Sequence, residues 1–304
     1  MSKTSLPVAS FVASGVASGI ASGIASLVAV AALAGPAAAE TKLTTTVFAG
    51  SPNGFDVTST LIAGDKEAIL VDAQFTLAEA HRVVAMILDS KKTLTTIYIT
   101  HGHPDHYFGL EAIKAAFPKA RIVALDKPLA EIKKTAAGKV KQWGPMYGAQ
   151  ITAKPVFPTA LEGTTLTLEG QTIEVKGPTQ GDDAMGTYLW IPSIKTVVAG
   201  DAVFNGVHVW TAETNALSRK AWVKTLDDIA ALGPTTVIAG HKAATAKDDA
   251  SSVKWTKDYL AAFDAAVASS RTAEEVVTKV KAKYKDAQLD VILSIGAGAQ
   301  FAAK

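Results

Sequence analysis

The sequence predicts an α+β domain of two packed sheets with helices on the outside. Three observations carry this. From Thr41 to about Gly240, strand-like and helix-like segments alternate. No linker divides the chain after residue 40, so one domain has to hold all of them. A strand-like apolar run, Leu94 to Thr100, ends in His101-Gly102-His103-Pro104-Asp105-His106, which places three imidazoles and a carboxylate at one strand end.

The first forty residues stand apart. After Lys3 comes an uncharged stretch, Thr4 to Ala39, rich in Ala, Gly, Ser and Val and closed by Gly35-Pro36-Ala37-Ala38-Ala39 before Glu40. A positive start, an apolar middle and an Ala-x-Ala end describe a secretory signal peptide over residues 1–39, cleaved after Ala39. The competing reading is a retained anchor. The stretch is long enough to span a bilayer, and Gly15, Gly19 and Gly23 have the spacing of small-residue helix contacts. No second membrane candidate follows, so no stable membrane insertion is expected after cleavage, and the mature protein is expected to be periplasmic or secreted.

In the mature chain, Val57 to Ala63 and Glu67 to Asp72 read as strands joined by Gly64-Asp65. Leu77, Ala80, Val84, Ile87 and Leu88 recur at helical spacing. Beyond the histidine cluster, Leu110, Ile113 and Phe117 mark a short helix that Pro118 stops. Arg121 to Leu125 is a strand, and Lys127 to about Val140 a helix with a basic face. A second series of strands follows at Thr164 to Leu168, Gln171 to Val175, Thr187 to Ile191 and Lys195 to Ala199, with turns at Gly170 and Pro192-Ser193. Trp222, Leu226 and Ile229 form a helix face closed by Gly233-Pro234, and Thr236 to Ala239 is a short strand leading into Gly240-His241. Residues 40–245 are thus the main domain and 246–304 a helical C-terminal extension of it. That extension has helices at Lys254 to Ser269 and Thr272 to Tyr284, the second opened by a capping-box pattern. The apolar stretch Leu289 to Phe301 reads as a packed or interface segment.

Composition narrows the function. The 304 residues carry 30 Lys and Arg against 28 Asp and Glu, a net charge of +2 with no basic cluster, so no nucleic-acid partner is expected. There is no cysteine, which excludes a disulfide framework, a thiolate metal ligand and a cysteine nucleophile. The six histidines are not spread evenly, because half of them sit in the His101 to His106 cluster. Imidazole and carboxylate are the ligands that zinc and related borderline metals prefer, so the cluster reads as a metal site.

This His-x-His-x-Asp-His motif at a strand end resembles the signature of the metallo-β-lactamase-fold hydrolases, and the resemblance covers about residues 43 to 245. It implies an αββα four-layer sandwich with a binuclear metal site along one edge of the two sheets. Carried over, His101 and His103 bind a first metal, Asp105, His106 and His241 a second, and Asp201, in Gly200-Asp201, bridges both. Leu70-Val71-Asp72 resembles the strand whose aspartate supports the ligands from behind; a plain strand-end carboxylate is the other reading of Asp72. The resemblance also implies zinc, one or two ions, with iron and manganese as open alternatives. A hydroxide held between the metals would attack the substrate, with Asp105 orienting it.

One position departs from the family pattern. The usual third histidine of the first metal aligns with Gln180, in Pro178-Thr179-Gln180-Gly181-Asp182-Asp183. Gln180 is expected there as a weak amide-oxygen ligand; the alternative is that Asp182 contributes in its place, a simple surface-turn role being the preferred reading of Asp182. His208 and Trp210 follow Asp201 and are expected to line the substrate pocket, and Tyr107 to touch substrate or cap the helix. The function implied is an exported hydrolase of an ester, thioester, lactone or amide in a small-molecule substrate. The alternative is a catalytically reduced member that binds a metal or ligand. The aspartate at position 201 argues against the true β-lactamase branch, which usually lacks it.

Overall fold

Strands that are apolar at nearly every position need cover on both faces. The computed structural model, which describes residues 42–302, shows what covers them. β1 (Thr44–Ala49), β2 (Thr58–Ala63), β3 (Glu67–Val71), β4 (Thr93–Tyr98), β5 (Arg121–Ala124) and β6 (Thr159–Ala160) form one sheet in that order. β7 (Thr165–Leu168), β8 (Gln171–Thr179), β9 (Gly186–Ile191) and β10 (Thr196–Val198) run side by side in a second sheet. A small parallel pair, β11 (Phe204–Asn205) with β13 (His241–Lys242), lies outside it, and β12 (Thr236–Ile238) completes the second sheet beside β10.

The period of two along each strand sorts side chains between layers. In β3, Ile69 and Val71 face the opposite sheet, whereas Ala68 and Leu70 face helices. In β9, Leu189 and Ile191 join the inter-sheet core, whereas Tyr188 and Trp190 turn outward to a helical layer. The first sheet is covered by α1 (Leu77–Ser90) and by helices that follow α2 (Pro104–Tyr107), namely α3 (Leu110–Ala116) and α4 (Asp126–Tyr147). The second is covered by α5 (Ala216–Ala231), α6 (Ser251–Ala268), α7 (Ala273–Lys283) and α8 (Asp290–Phe301). The architecture is an αββα four-layer sandwich with mixed sheets.

Residues from Glu40 onward form one compact unit. The expected signal peptide, residues 1–39, lies outside the described residues. The helices after residue 245 pack in the same cluster as α5 and the outer face of the second sheet, through Tyr259, Phe263, Val280 and Leu293. No helix among the described residues is long and apolar enough to cross a membrane.

Three differences from the expected elements have physical reasons. β1 is hidden in the sequence because its Thr44-Thr45-Thr46 start carries no apolar alternation; it pairs antiparallel with β2 at the sheet edge. α4 runs on past Val140 to Tyr147, through Gly144 and Pro145, which local propensity disfavours. Tertiary contact overrides propensity there: Trp143 meets Phe55 at 5.4 Å and Tyr147 meets Phe75 at 4.8 Å between ring centroids. The apolar Leu289 to Phe301 stretch is the helix α8, and Gly296 lets it lie against Thr211, whose Oγ1 would be 2.3 Å from any Cβ at that position.

Candidate metal centre

The ends of β3 and β4 create the site. Asp72 follows β3 in the left-handed region, with φ of 60°. Its carboxylate accepts from the Thr100 backbone N–H at 2.9 Å, from Thr100 Oγ1 at 2.8 Å and from His106 Nδ1 at 2.8 Å. Asp72 therefore fastens the loop after β4 and fixes the His106 tautomer, leaving the Nε2 lone pair directed into the site. His241, at the start of β13, donates from Nδ1 to the Phe55 carbonyl at 2.6 Å and stacks on Phe204, so its Nε2 also faces inward. His101 sets its Nδ1 3.0 Å from Thr100 Oγ1, which already donates to Asp72, and its Nε2 stays free. His103 is oriented the other way round. Its Nε2 donates to Glu213 Oε1 at 3.1 Å, and its Nδ1 lies 2.9 Å from Asp182 Oδ2.

These orientations gather two groups of donor atoms. The ligating atoms of His101, His103, Asp182 and Asp201 lie within 4.8 Å of one another, as do those of Asp105, His106 and His241. Asp201 sits in the turn after β10 and joins the groups. Its Oδ2 is 3.5 Å from His101 Nε2 and 3.1 Å from His241 Nε2, and its Oδ1 is 3.1 Å from His106 Nε2. The backbone must pass close behind it: a Cβ on Gly240 would stand 2.1 Å from Asp201 Oδ1.

The donor set fits divalent metal ions. His101 Nε2, Asp182 Oδ2 and Asp201 Oδ1 are buried and make no hydrogen bond, although polar neighbours stand within 3.5 Å. Buried lone pairs facing one another are costly unless a proton or a cation lies between them. Without a cation, protons take that role. Burial opposes charge on His103 and His106, yet the carboxylates around them, Asp182 and Glu213 for one, Asp201 and Asp72 for the other, hold both pKa values well above the usual imidazole range. His241 is likewise raised to about 8 against its burial, by Asp201 and Asp105. Burial pushes the Asp182 carboxyl up to about 7, against the pull of His103. A metal needs these ligands deprotonated and would displace those protons.

Most of the sequence-derived residues come together here: His101, His103, Asp105, His106, Asp201, His241 and, behind them, Asp72. Gln180 does not take the place expected of it. Its amide Nε2 donates to the carbonyls of Gly181 and Asp183, both at 2.9 Å, closing its own loop. Asp182 is buried rather than on a surface turn and joins the first group of donors, the alternative role for it. The two-residue shift arises because the loop after β8 folds its backbone under Asp201, with Asp182 N–H donating to the Asp201 carbonyl. Tyr107 does not reach the pocket; it is fully buried in the core beside Phe108, with its ring edge-on to that residue. Glu213 escapes sequence reasoning altogether, since a lone acidic residue in a loop gives no signal there.

A pocket of about 640 Å³, its mouth included, opens over the centre. His208 and Trp210 both line it. His208 is buried, its Nδ1 2.9 Å from the Tyr259 hydroxyl, and burial lowers its pKa. The Trp210 ring stands edge-on to His103 at 6.4 Å. Phe55 and Trp143 add aromatic walls, and Leu289 and Ile292 bring the C-terminal extension into the lining.

The fold and site define an αββα protein with a cluster of histidines and aspartates that could hold metal ions at the floor of a pocket. Residues 52–241 match the profile of the metallo-beta-lactamase superfamily, and the chain belongs to that superfamily, which includes metal-binding hydrolases. Solved structures share the fold. A metallo-beta-lactamase family protein from Thermus thermophilus is 20% identical over 85% of this chain and 91% of its own, with a TM-score of 0.60. The sec-alkyl sulfatase PisA1, as a double mutant, is 15% identical over 81% of this chain and 47% of its own, at 0.56. The DIM-1 metallo-beta-lactamase is 18% identical over 72% and 92%, at 0.52. No curated protein sequence gives a significant match.

Proposed function

We propose that the protein is an exported metal-dependent hydrolase of an ester, thioester, lactone or amide bond in a small molecule. The observation that carries this reading is the sharing of Asp201 between two buried donor groups at the floor of a pocket. When bound there, a divalent pair, zinc by preference of the imidazole-carboxylate set, makes water nucleophilic near neutral pH and polarises the oxygen of the scissile bond. His101, His103, Asp182 and Asp201 would hold one ion and Asp105, His106, His241 and Asp201 the other.

The chain's own groups do the rest. Asp105 lines the pocket with Oδ2 3.4 Å from His241 Nε2, where a carboxylate oxygen can hold the proton of the attacking water. Asp72, Thr100 and the Phe55 carbonyl keep the imidazoles in the tautomers that leave Nε2 free. Phe55, Trp143 and Trp210 narrow the approach of bulk water. Export rests on the signal-peptide pattern before Glu40. The catalytically reduced alternative draws its support from Gln180; the burial of Asp182 beside His103 favours the hydrolase reading over it.

The test is metal content of the mature protein together with hydrolysis of a panel of carboxylic esters, thioesters, lactones and amides, extended to an alkyl sulfate because one structural neighbour is a sulfatase. Turnover that is lost on chelation and in Asp105→Asn supports the reading. Full metal loading with no turnover of any bond class moves the ligand-binding alternative ahead.

A further inference from the structure

The pocket over the metal centre carries one lysine. Lys139 lies on α4, one helical turn from Gln142 and Trp143, and all three line the cavity. Its Nζ donates to the Gly102 carbonyl at 3.2 Å, and among the described residues it forms no ion pair. Two of its N–H groups are therefore left for another acceptor. Lys139 is the only lysine or arginine in the lining, and Glu213, the lining carboxylate that feels its charge, is already hydrogen-bonded to His103. The lining also carries apolar side chains: Trp143 on the same helix, Trp210, and Leu289 and Ile292 from the C-terminal extension.

We propose that the substrate is an amphipathic organic anion, with the hydrolysable bond over the metal centre, an apolar body against the tryptophans and Leu289, and a carboxylate on Lys139 Nζ. The proposal rests on the hydrolase reading for the first of these contacts and on the pocket alone for the other two. The competing role for Lys139 is to fasten the histidine loop through Gly102. That role alters metal content and all substrates alike, whereas anion recognition alters only the preference between charged and neutral molecules.

Two esters of matched length separate the roles: 4-nitrophenyl hemisuccinate, an anion, and 4-nitrophenyl butyrate, which is neutral. The metal-loaded protein is expected to favour the hemisuccinate in kcat/KM. Lys139→Met is expected to cut that preference about tenfold, the scale of one hydrogen bond to a charged group, and Lys139→Arg to restore most of it. A wild-type preference for the butyrate, or a preference unchanged in Lys139→Met, overturns the proposal. Hydrolysis of neither ester counts against the hydrolase reading alone, so a binding measurement stands beside the kinetics. Calorimetry with 4-phenylbutyrate and its neutral amide is expected to show a preference for the acid that falls about tenfold in Lys139→Met. An equal preference in both proteins overturns the anion site whatever the kinetics show. Lys139→Gln, which keeps a donor for the Gly102 carbonyl, repeats both measurements with the histidine loop still fastened.

Discussion

The two halves of the metal centre are built from the same residue types but anchored to different depths. In the second group, His106 is held by the buried carboxylate of Asp72, and His241 by the backbone carbonyl of the half-buried Phe55. In the first group, His103 is held by Glu213, whose side chain is half exposed, and the carboxylate comes from a loop residue, Asp182. A ligand's strength lies partly in what fixes its orientation. The second group is pre-organised by the sheet ends themselves. The first depends on two loops being in place, those after β8 and before α5.

The group shared by both halves gives the largest expected effect. Asp201→Asn removes one charge from between the two ions and leaves an amide among buried imidazoles. Bound metal is expected to fall from two equivalents to one or fewer by elemental analysis, and hydrolysis by more than about 100-fold, beyond the range of losses from outer supporting groups. Retention of two equivalents with turnover intact would show that Asp201 does not join the groups.

The next effect sharpens the comparison within the first half. Asp182→Ala is expected to lose the first metal and keep the second, whereas Gln180→Ala is expected to keep both, because the Gln180 amide is spent on the carbonyls of Gly181 and Asp183. Gln180→His should then bring no gain in affinity, since position 180 closes a loop and does not face the ions. The reverse pattern, metal lost from Gln180→Ala and kept in Asp182→Ala, would return Gln180 to the ligand set.

For the second half, Asp72→Asn is expected to weaken its metal by about 10- to 100-fold in a chelator competition. The amide presents an N–H where His106 Nδ1–H and two Thr100 donors now meet a carboxylate. Because Asp72 also pins the loop after β4, the melting temperature of the metal-free protein is expected to fall as well. Unchanged affinity with a lowered melting temperature would reduce Asp72 to a strand-end brace.

The contrast between the halves also explains what is legible in the sequence. The His101 to His106 cluster and His241 are readable because each sits directly at the end of an apolar strand, where the neighbouring periodicity fixes its place. The layers are readable for the same reason: β3 and β9 alternate, and the helices repeat their apolar residues at 3.6. Sequence reasoning ranks Asp182 behind Gln180 because residues 180–183 form a polar loop with no periodicity. A shift of two residues there depends on one backbone bond to Asp201, a contact between distant parts of the chain. Glu213 and the reach of α4 to Trp143 are of the same kind. Tyr107 errs in the opposite direction: adjacency to His106 suggests the pocket, but the turn of α2 sends its side chain into the core.

Glu213→Gln gives the smallest expected effect and the finest test of anchoring depth. Glu213 accepts from His103 Nε2 at 3.1 Å, and that hydrogen bond holds its carboxyl down at about 2. The glutamine oxygen can accept the same N–H, so the tautomer that turns Nδ1 toward Asp182 survives while the charge does not. A partly solvated charge next to a metal ligand is screened by water, so the first metal should weaken by less than about tenfold, below the loss expected for Asp72→Asn. Glu213→Ala, which removes the acceptor too, should weaken it further, because His103 is then free to rotate. If Glu213→Gln cost the first group as much as Asp72→Asn costs the second, exposure would not set the strength of an anchor, and the contrast between the two halves would have to rest on the loop origin of Asp182 alone.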